Sequence, residues 1–374
     1  MPKRSNSNIK KYTLKSGETR YKFQTYLGLN ANGKPINITR KGFKTYSHAL
    51  EVYNKLRADG SQNYVKPKQI KLDDLWKLWF NTYKLQVKQS NANKVNEYYK
   101  NHIFPYFGNN YMDKISVSAL QKWIERKSKE IVNYRRMYQL LSRLYKYAYT
   151  LGYVKINPCD RLIIPKLSKN KKEKGEKNFY NRNELEKFLI SAKKFNFKFY
   201  TYFYLLANTG LRRGEALALQ WKDIDYTNKI IHVRHTVAIG LENKVILDTP
   251  KTQASIRDVP LTDTLAKVLK EYHSKQTRLT DKLFCKKDGG WKNPSDAGDW
   301  LRQIYDNDSS LRKITVHGFR HTFATLLIAE TDIKPKTVQH ILGHETIEMT
   351  LNIYTHVTEE EKKKSLAQII SLHL

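Results

Sequence analysis

The spacing of apolar residues divides the chain into stretches of different period. Residues 9–60 open with β-prone runs containing Tyr12, Tyr21, Phe23, Tyr26 and Leu27, and a third run covers Ile36 to Phe43. Lys15-Ser16-Gly17-Glu18 and Asn30-Ala31-Asn32-Gly33-Lys34 separate them with residues that tolerate the backbone of tight turns. Ser47 can cap a helix from His48 to Asp59, where Ala49, Val52, Tyr53 and Leu56 recur on one face. The pattern predicts a three-stranded sheet backed by one helix. Its exposed face is expected to carry Arg20, Lys22, Arg40 and Lys41.

Gly60 to Lys68 reads as a linker, and beyond it the period becomes helical. Leu72, Leu75, Trp76, Trp79, Phe80 and Tyr83 mark one helix, and residues 91–104 a second that ends near Pro105. Ser116 caps a third, with Val117, Leu120, Trp123 and Ile124 inward. Met137, Leu140, Leu141, Leu144, Tyr145 and Ala148 mark a fourth, stopping at Gly152. Residues 69–165 therefore predict a four-helix domain. Pro165 to Lys177 holds six lysines and almost no apolar residue, an extended basic linker.

From Phe179 the pattern is mixed. Asn183 is expected to cap a helix reaching Lys194, and Phe199, Tyr202, Phe203, Leu205 and Leu206 make residues 198–208 a very apolar one. Another helix follows Arg213. Strands are expected at Ile230–His235, Val245–Thr249 and Arg257–Pro260, the last two around a turn at Lys251–Ala254 that puts Lys251 near a hairpin tip. Thr358-Glu359-Glu360-Glu361-Lys362 and the apolar residues after it predict a short C-terminal helix. The fold class is multidomain, mainly α with small β-sheets.

Charge changes the picture most. Among 374 residues, 68 Lys and Arg face 35 Asp and Glu, a formal charge of +33. A compact chain with that excess repels itself, and a polyanion relieves it because each cation on a phosphate releases a condensed counterion. A lysine-rich solvated surface is the plainer alternative. Cys159 and Cys285 are the only cysteines, which excludes a disulfide framework. No apolar run follows Met1 and no window reaches transmembrane length, so a cytoplasmic protein acting on nucleic acid is expected.

Four short motifs carry candidate chemistry. Thr209-Gly210-Leu211-Arg212-Arg213-Gly214-Glu215 places an arginine in the turn before a helix, where its planar fork matches two phosphate oxygens and Glu215 can orient it. Thr249-Pro250-Lys251-Thr252 offers a turn ammonium. His317-Gly318-Phe319-Arg320 sets a proton carrier and a guanidinium on one helix face. Leu342-Gly343-His344 precedes Tyr354 by ten residues. Taken singly, each is an ordinary surface or turn residue. His317 and His321 have the spacing of a helical metal pair, but the intervening Glu of a zinc protease and any nearby Cys are missing, so neither metal nor cofactor is expected.

Taken in order, the set from Arg212 to Tyr354 resembles the tyrosine recombinase, or phage integrase, family, and in particular the integrases of temperate phages and conjugative transposons of Gram-positive bacteria. The resemblance implies an arm-type DNA-binding domain at 1–62, a helical core-DNA-binding domain at 69–165, a basic linker at 166–178 and a mixed α+β catalytic domain at 179–374. It implies that Arg212 and Arg320 hold the scissile phosphate, Lys251 protonates the departing 5′ oxygen, His317 is the general base or acid, His344 bonds the phosphate and Tyr354 forms a covalent 3′-phosphotyrosine. The implied partners are double-stranded DNA at core and arm sites, further copies of the chain in a tetramer, a host DNA-bending protein and an excision factor. The implied tail after residue 358 packs on a neighbouring protomer. A type IB topoisomerase shares this chemistry, and a non-catalytic DNA-binding regulator would share the basic surface. The separate N-terminal sheet argues against the first, and the complete motif set against the second.

Overall fold

A computed structural model describes residues 6–29, 35–63, 69–166, 177–250, 252–277, 279–351 and 353–355. Strands β1 (Ile9–Thr13), β2 (Thr19–Leu29) and β3 (Pro35–Phe43) form an antiparallel sheet in that order. Helix α1 (Tyr46–Asn63) packs on it, burying Ile9, Phe23, Ala49 and Tyr53. It runs through Gly60, past the predicted stop at Asp59.

The register corrects one expectation. Phe23 pairs with Arg40 and Thr25 with Ile38, so strand alternation puts Arg40 on the helix-facing side, at its exposed rim. The outer face instead pairs Lys22 with Lys10 on one side and Lys41 on the other, and Tyr12 with Arg20. Gly42, at φ 93°, lies where the β2–β3 register slips by one residue.

The next segment contains α2 (Leu72–Gln86) and α3 (Gln89–Tyr98), a π-helical turn at Tyr99–Ile103, then α4 (Phe104–Phe107). Pro105 does not end the helix as predicted. The wider turn just before it removes the clash that a proline ring makes with the carbonyl one α-turn earlier. Helix α5 (Val117–Glu130) starts at Ser116, whose hydroxyl accepts from Ala119 N at 3.1 Å. Helix α6 (Tyr134–Thr150) stops before Gly152, at φ 75°. The expected apolar residues are buried, among them Leu75, Trp76, Leu120, Trp123, Leu144 and Tyr145.

The chain divides into two compact units. One takes the described residues of 1–76, 107–124 and 141–163, and the other those of 77–106, 125–140 and 164–374. Residues 64–68 and most of the basic linker, at 167–176, lie outside the described residues.

The second unit holds α7 (Arg182–Phe195), α8 (Phe197–Thr209), α9 (Arg213–Ala218), β4 (Ile224–Asp225), β5 (Ile230–Val233), β6 (Thr236–Ile239), β7 (Val245–Asp248) and β8 (Arg257–Pro260). Helices α10 (Asp263–Ser274), α11 (Asp296–Asn307), α12 (Val316–Glu330) and α13 (Pro335–Leu342) follow. Asn181, not Asn183, caps α7. Its side chain accepts from Glu184 N at 2.9 Å, and Glu184 reaches back to Asn181 N at 2.8 Å. Phe188, Phe203 and Phe319 meet at the centre, with Phe319 4.9 Å and 4.8 Å from the other two ring centroids. Helix α12 is thus anchored by its buried face against α7 and α8.

The strands pair differently from expectation. β8 joins β5 in the sheet β4-β5-β8, whereas β7 pairs with β6. β7 and β8 are therefore not two arms of one hairpin. Lys251 lies in the connection between two sheets, and it falls outside the described residues. The short run Thr236–Ile239 follows β5 so closely that it merges with it in the sequence pattern.

Candidate active site

Gly210 closes α8 in the left-handed conformation, φ 63°, and releases the chain into the turn that carries Arg212. Arg212 is half-buried and its neighbour Arg213 is exposed. The Arg212 guanidinium donates to Glu215 Oε1 at 2.7 Å, Ser255 Oγ at 3.2 Å and the Gly343 carbonyl at 2.8 Å. Glu215 also accepts from Arg212 N at 2.9 Å and, on Oε2, from Arg257 at 2.9 Å. Both Glu215 and Arg257 are buried. Burial alone would raise the Glu215 carboxyl, but Arg257 and Arg212 hold it below the usual carboxylate range.

Arg320 comes in from α12. It is buried and donates to the carbonyls of Gly210 at 2.8 Å and Leu342 at 2.7 Å. Burial, then Arg212 and Arg257, push its guanidinium down to about 9, still cationic near neutrality. Arg257 completes the set by donating to the Ile341 carbonyl at 2.7 Å. Three arginines therefore face one carboxylate, and the remaining contacts are neutral carbonyls and a hydroxyl. A guanidinium has five N–H groups. Among the described residues, protein atoms take three on Arg212 and two on Arg320. Among the described residues the site keeps unspent donors and an excess of positive charge, which suits a phosphate.

The two candidate histidines are neutral at pH 7. His344 is buried just beyond the left-handed Gly343, with Nδ1 2.9 Å from Thr350 Oγ1. Burial, then Arg320 and Arg212, push it down to about 3. If Thr350 donates to Nδ1, the proton sits on Nε2, which can then donate to a phosphate oxygen. His317 keeps an exposed edge, and burial of the rest of its ring, then His321, Arg320 and Arg212, push it down to about 4. His317 and His321 stand edge to face, 4.7 Å between ring centroids. Among the described residues no group of three His, Cys, Asp or Glu could hold a metal ion.

The structure thus gathers Arg212, His317, Arg320 and His344. Tyr354 is half-buried beside Ala324, Ile328, Val338 and Leu342, and its hydroxyl donates to the Ile333 carbonyl at the approach to α13. Burial raises its pKa. Sequence reasoning missed Arg257, Ser255 and Thr350. Arg257 opens the strand expected at Arg257–Pro260, but an arginine on a strand reads as solvated until the fold buries it.

The chain matches two family models, the phage integrase family over residues 178–361 and the phage integrase N-terminal SAM-like domain over residues 71–128. A tyrosine recombinase XerC-like protein of Caldanaerobacter subterraneus subsp. tengcongensis is 28% identical, across 96% of this chain and 98% of that one. The Tn1549 transposon integrase, solved in complex with a circular intermediate DNA, shares the fold with a TM-score of 0.61 and 22% identity, over 79% of this chain and 99% of that one. A lambda integrase, solved as a tetramer on a Holliday junction, shares it with a TM-score of 0.55 and 15% identity, over 91% and 96%.

Proposed function

The chain belongs to the phage integrase family, the tyrosine recombinases, and from that premise we propose how it cuts and rejoins DNA at the attachment sites of a phage or mobile element. The observation that carries the reading is the cluster of three arginines around one carboxylate, with unspent donors on Arg212 and Arg320.

In our reading a scissile phosphate takes those donors, and its charge is neutralised before attack. His344 donates a further hydrogen bond. A phenol is a weak nucleophile near neutrality, and burial weakens Tyr354 further. Tyr354 must exchange its bond to the Ile333 carbonyl for one to a base, and neutral His317 accepts the proton. The Tyr354 oxygen bonds to phosphorus, the bond from phosphorus to the 5′ oxygen breaks, and Lys251 gives that oxygen its proton. Attack by a 5′ hydroxyl of another strand reverses these steps. The phosphodiester energy is kept in the phosphotyrosine, so rejoining needs no ATP.

The division of labour follows the sequence reading. Residues 1–62 bind arm sites, 69–165 bind the core, 166–178 form the basic linker and 179–374 do the chemistry. Exchange between two duplexes needs four strand cuts, which favours a tetramer, and the lambda integrase tetramer supports that assembly. A host DNA-bending protein and an excision factor complete the reaction, in the bacterial cytoplasm at the nucleoid. The tail from residue 358, expected to pack on a neighbouring protomer, lies outside the described residues.

A duplex nicked just beyond the cleavage point tests the chemistry, because the cut end diffuses away and traps the covalent adduct. Wild type is expected to accumulate adduct, and Tyr354→Phe to bind the duplex equally well with none. An undiminished adduct from Tyr354→Phe would move the nucleophile elsewhere. Relaxation of supercoils without exchange between two sites would make this a topoisomerase.

A further inference from the structure

Lys88 immediately precedes α3, in the helical segment, yet its ammonium is spent on the catalytic segment within the same compact unit. Its Nζ donates to the Thr249 carbonyl at 2.6 Å, Thr249 Oγ1 at 2.9 Å and the Pro250 carbonyl at 3.0 Å, and lies 3.5 Å from Asp248 Oδ1. An ammonium has three N–H groups, so three close oxygens use all of them. Two are backbone carbonyls, which makes this a cap on the end of β7 more than a surface ion pair of little worth. Elsewhere on the hairpin, Asn93 of α3 donates to Asn243 Oδ1 at 2.9 Å. At the same turn a Cβ on Gly240 would come within 2.9 Å of Gln89 Oε1. Helix α3 therefore holds the β6–β7 hairpin by its turn and by its exit.

The residue after Pro250 is Lys251. We propose that Lys88 is a positioning residue for the leaving-group proton transfer: by tying the carbonyls of Thr249 and Pro250 to the start of α3, it fixes the direction in which the chain enters Lys251. The proposal rests on the reading of Lys251 as the general acid. It also gives a reason for a lysine of a DNA-binding segment to be directed at protein instead of phosphate.

The test uses the full chain and two nicked duplexes, one ordinary and one with sulfur in place of the departing 5′ oxygen. A thiol has a pKa of about 8.5, so a thiolate leaves without an acid. Lys88→Met is expected to bind both duplexes like wild type. It should cleave the oxygen duplex slower, by up to about 100-fold, the scale of a misplaced catalytic group. It should cleave the sulfur duplex within about 3-fold of wild type, which also shows that the variant is folded. Lys251→Ala should show the same rescue, and Lys88→Met added to it should cost nothing more on oxygen. Lys88→Met equally slow on both duplexes, unimpaired on oxygen, or additive with Lys251→Ala overturns the positioning role alone. Lys251→Ala unrescued by sulfur overturns the general-acid reading and the positioning role with it.

Discussion

At the scale of single residues, Glu215 holds the arginine cluster together. One buried carboxylate accepts from the Arg212 backbone, the Arg212 guanidinium and the Arg257 guanidinium. Glu215→Gln leaves Arg257 buried beside a neutral group, and breaking a buried pair in this way costs about 3–5 kcal/mol. Urea unfolding should show that loss, with cleavage falling too because Arg212 loses its orientation; an unchanged midpoint would mean Arg257 finds another counter-charge. His344 sets a pH dependence. Its unfolded form takes a proton near 6.5 and its folded form only near 3, so between those values the unfolded chain holds the extra proton and stability falls with falling pH. This contribution is constant above pH 6.5. By linkage the group makes the fold about 2 kcal/mol less stable at pH 5 than at pH 7, and His344→Asn should flatten that slope in urea titrations at the two pH values. Arg212, His317, Arg320 and His344 were legible as candidates because their motifs stand in a fixed order. Arg257 and Thr350 were not, since only burial gives them partners.

Elements deliver these residues through close packing that glycines allow, Gly214 and Gly343 among them. Gly214 lies in α9 against β6, where a Cβ would stand 2.6 Å from both Thr236 Oγ1 and the Val237 carbonyl. Gly343 ends α13 at φ 65°, and a Cβ there would meet the Ala254 carbonyl at 2.9 Å. Gly214→Ala must push β6 off α9, at about 1–3 kcal/mol for overpacking. Because β6 belongs to the hairpin that leads to Lys251, cleavage should fall with stability; thermal melts and single-turnover cleavage check both, and a variant as stable and active as wild type would show that the hairpin yields freely. Helix boundaries were legible where a local signal exists, as at Ser116 and Gly152. Asn181 had its signal too, a Glu three residues on, but Asn183 stood closer to the apolar run. Strand pairing was the least legible. β7 and β8 flank a turn-like string, and proximity in sequence suggested a hairpin, but β7 pairs with β6, the strand before it, and β8 with β5.

For the whole molecule, a charge of +33 signals a polyanionic partner but not where it lies. Register decides that for the N-terminal sheet. Lys22 sits over the Tyr12 ring, 5.4 Å to its centroid, and opposite Lys41 on the outer face, while Arg40 falls on the other side. Two exposed lysines and a tyrosine on one strand face fit the backbone of a major groove. If this face holds arm DNA, Lys22→Ala with Lys41→Ala in the full chain should erase protection over the arm sites. Cleavage of a short core duplex should stay at the wild-type rate. Each phosphate contact contributes about 0.9 to the slope of log affinity against log salt, so arm binding should lose roughly 2 from that slope while core binding keeps its own. Equal losses on both DNAs would mean the lysines act through net charge alone. Replacing Arg40 supplies the control for a single charge: it removes from the same sheet as much charge as either lysine replacement alone, and arm protection should survive it, because α1 occupies the face on which it stands.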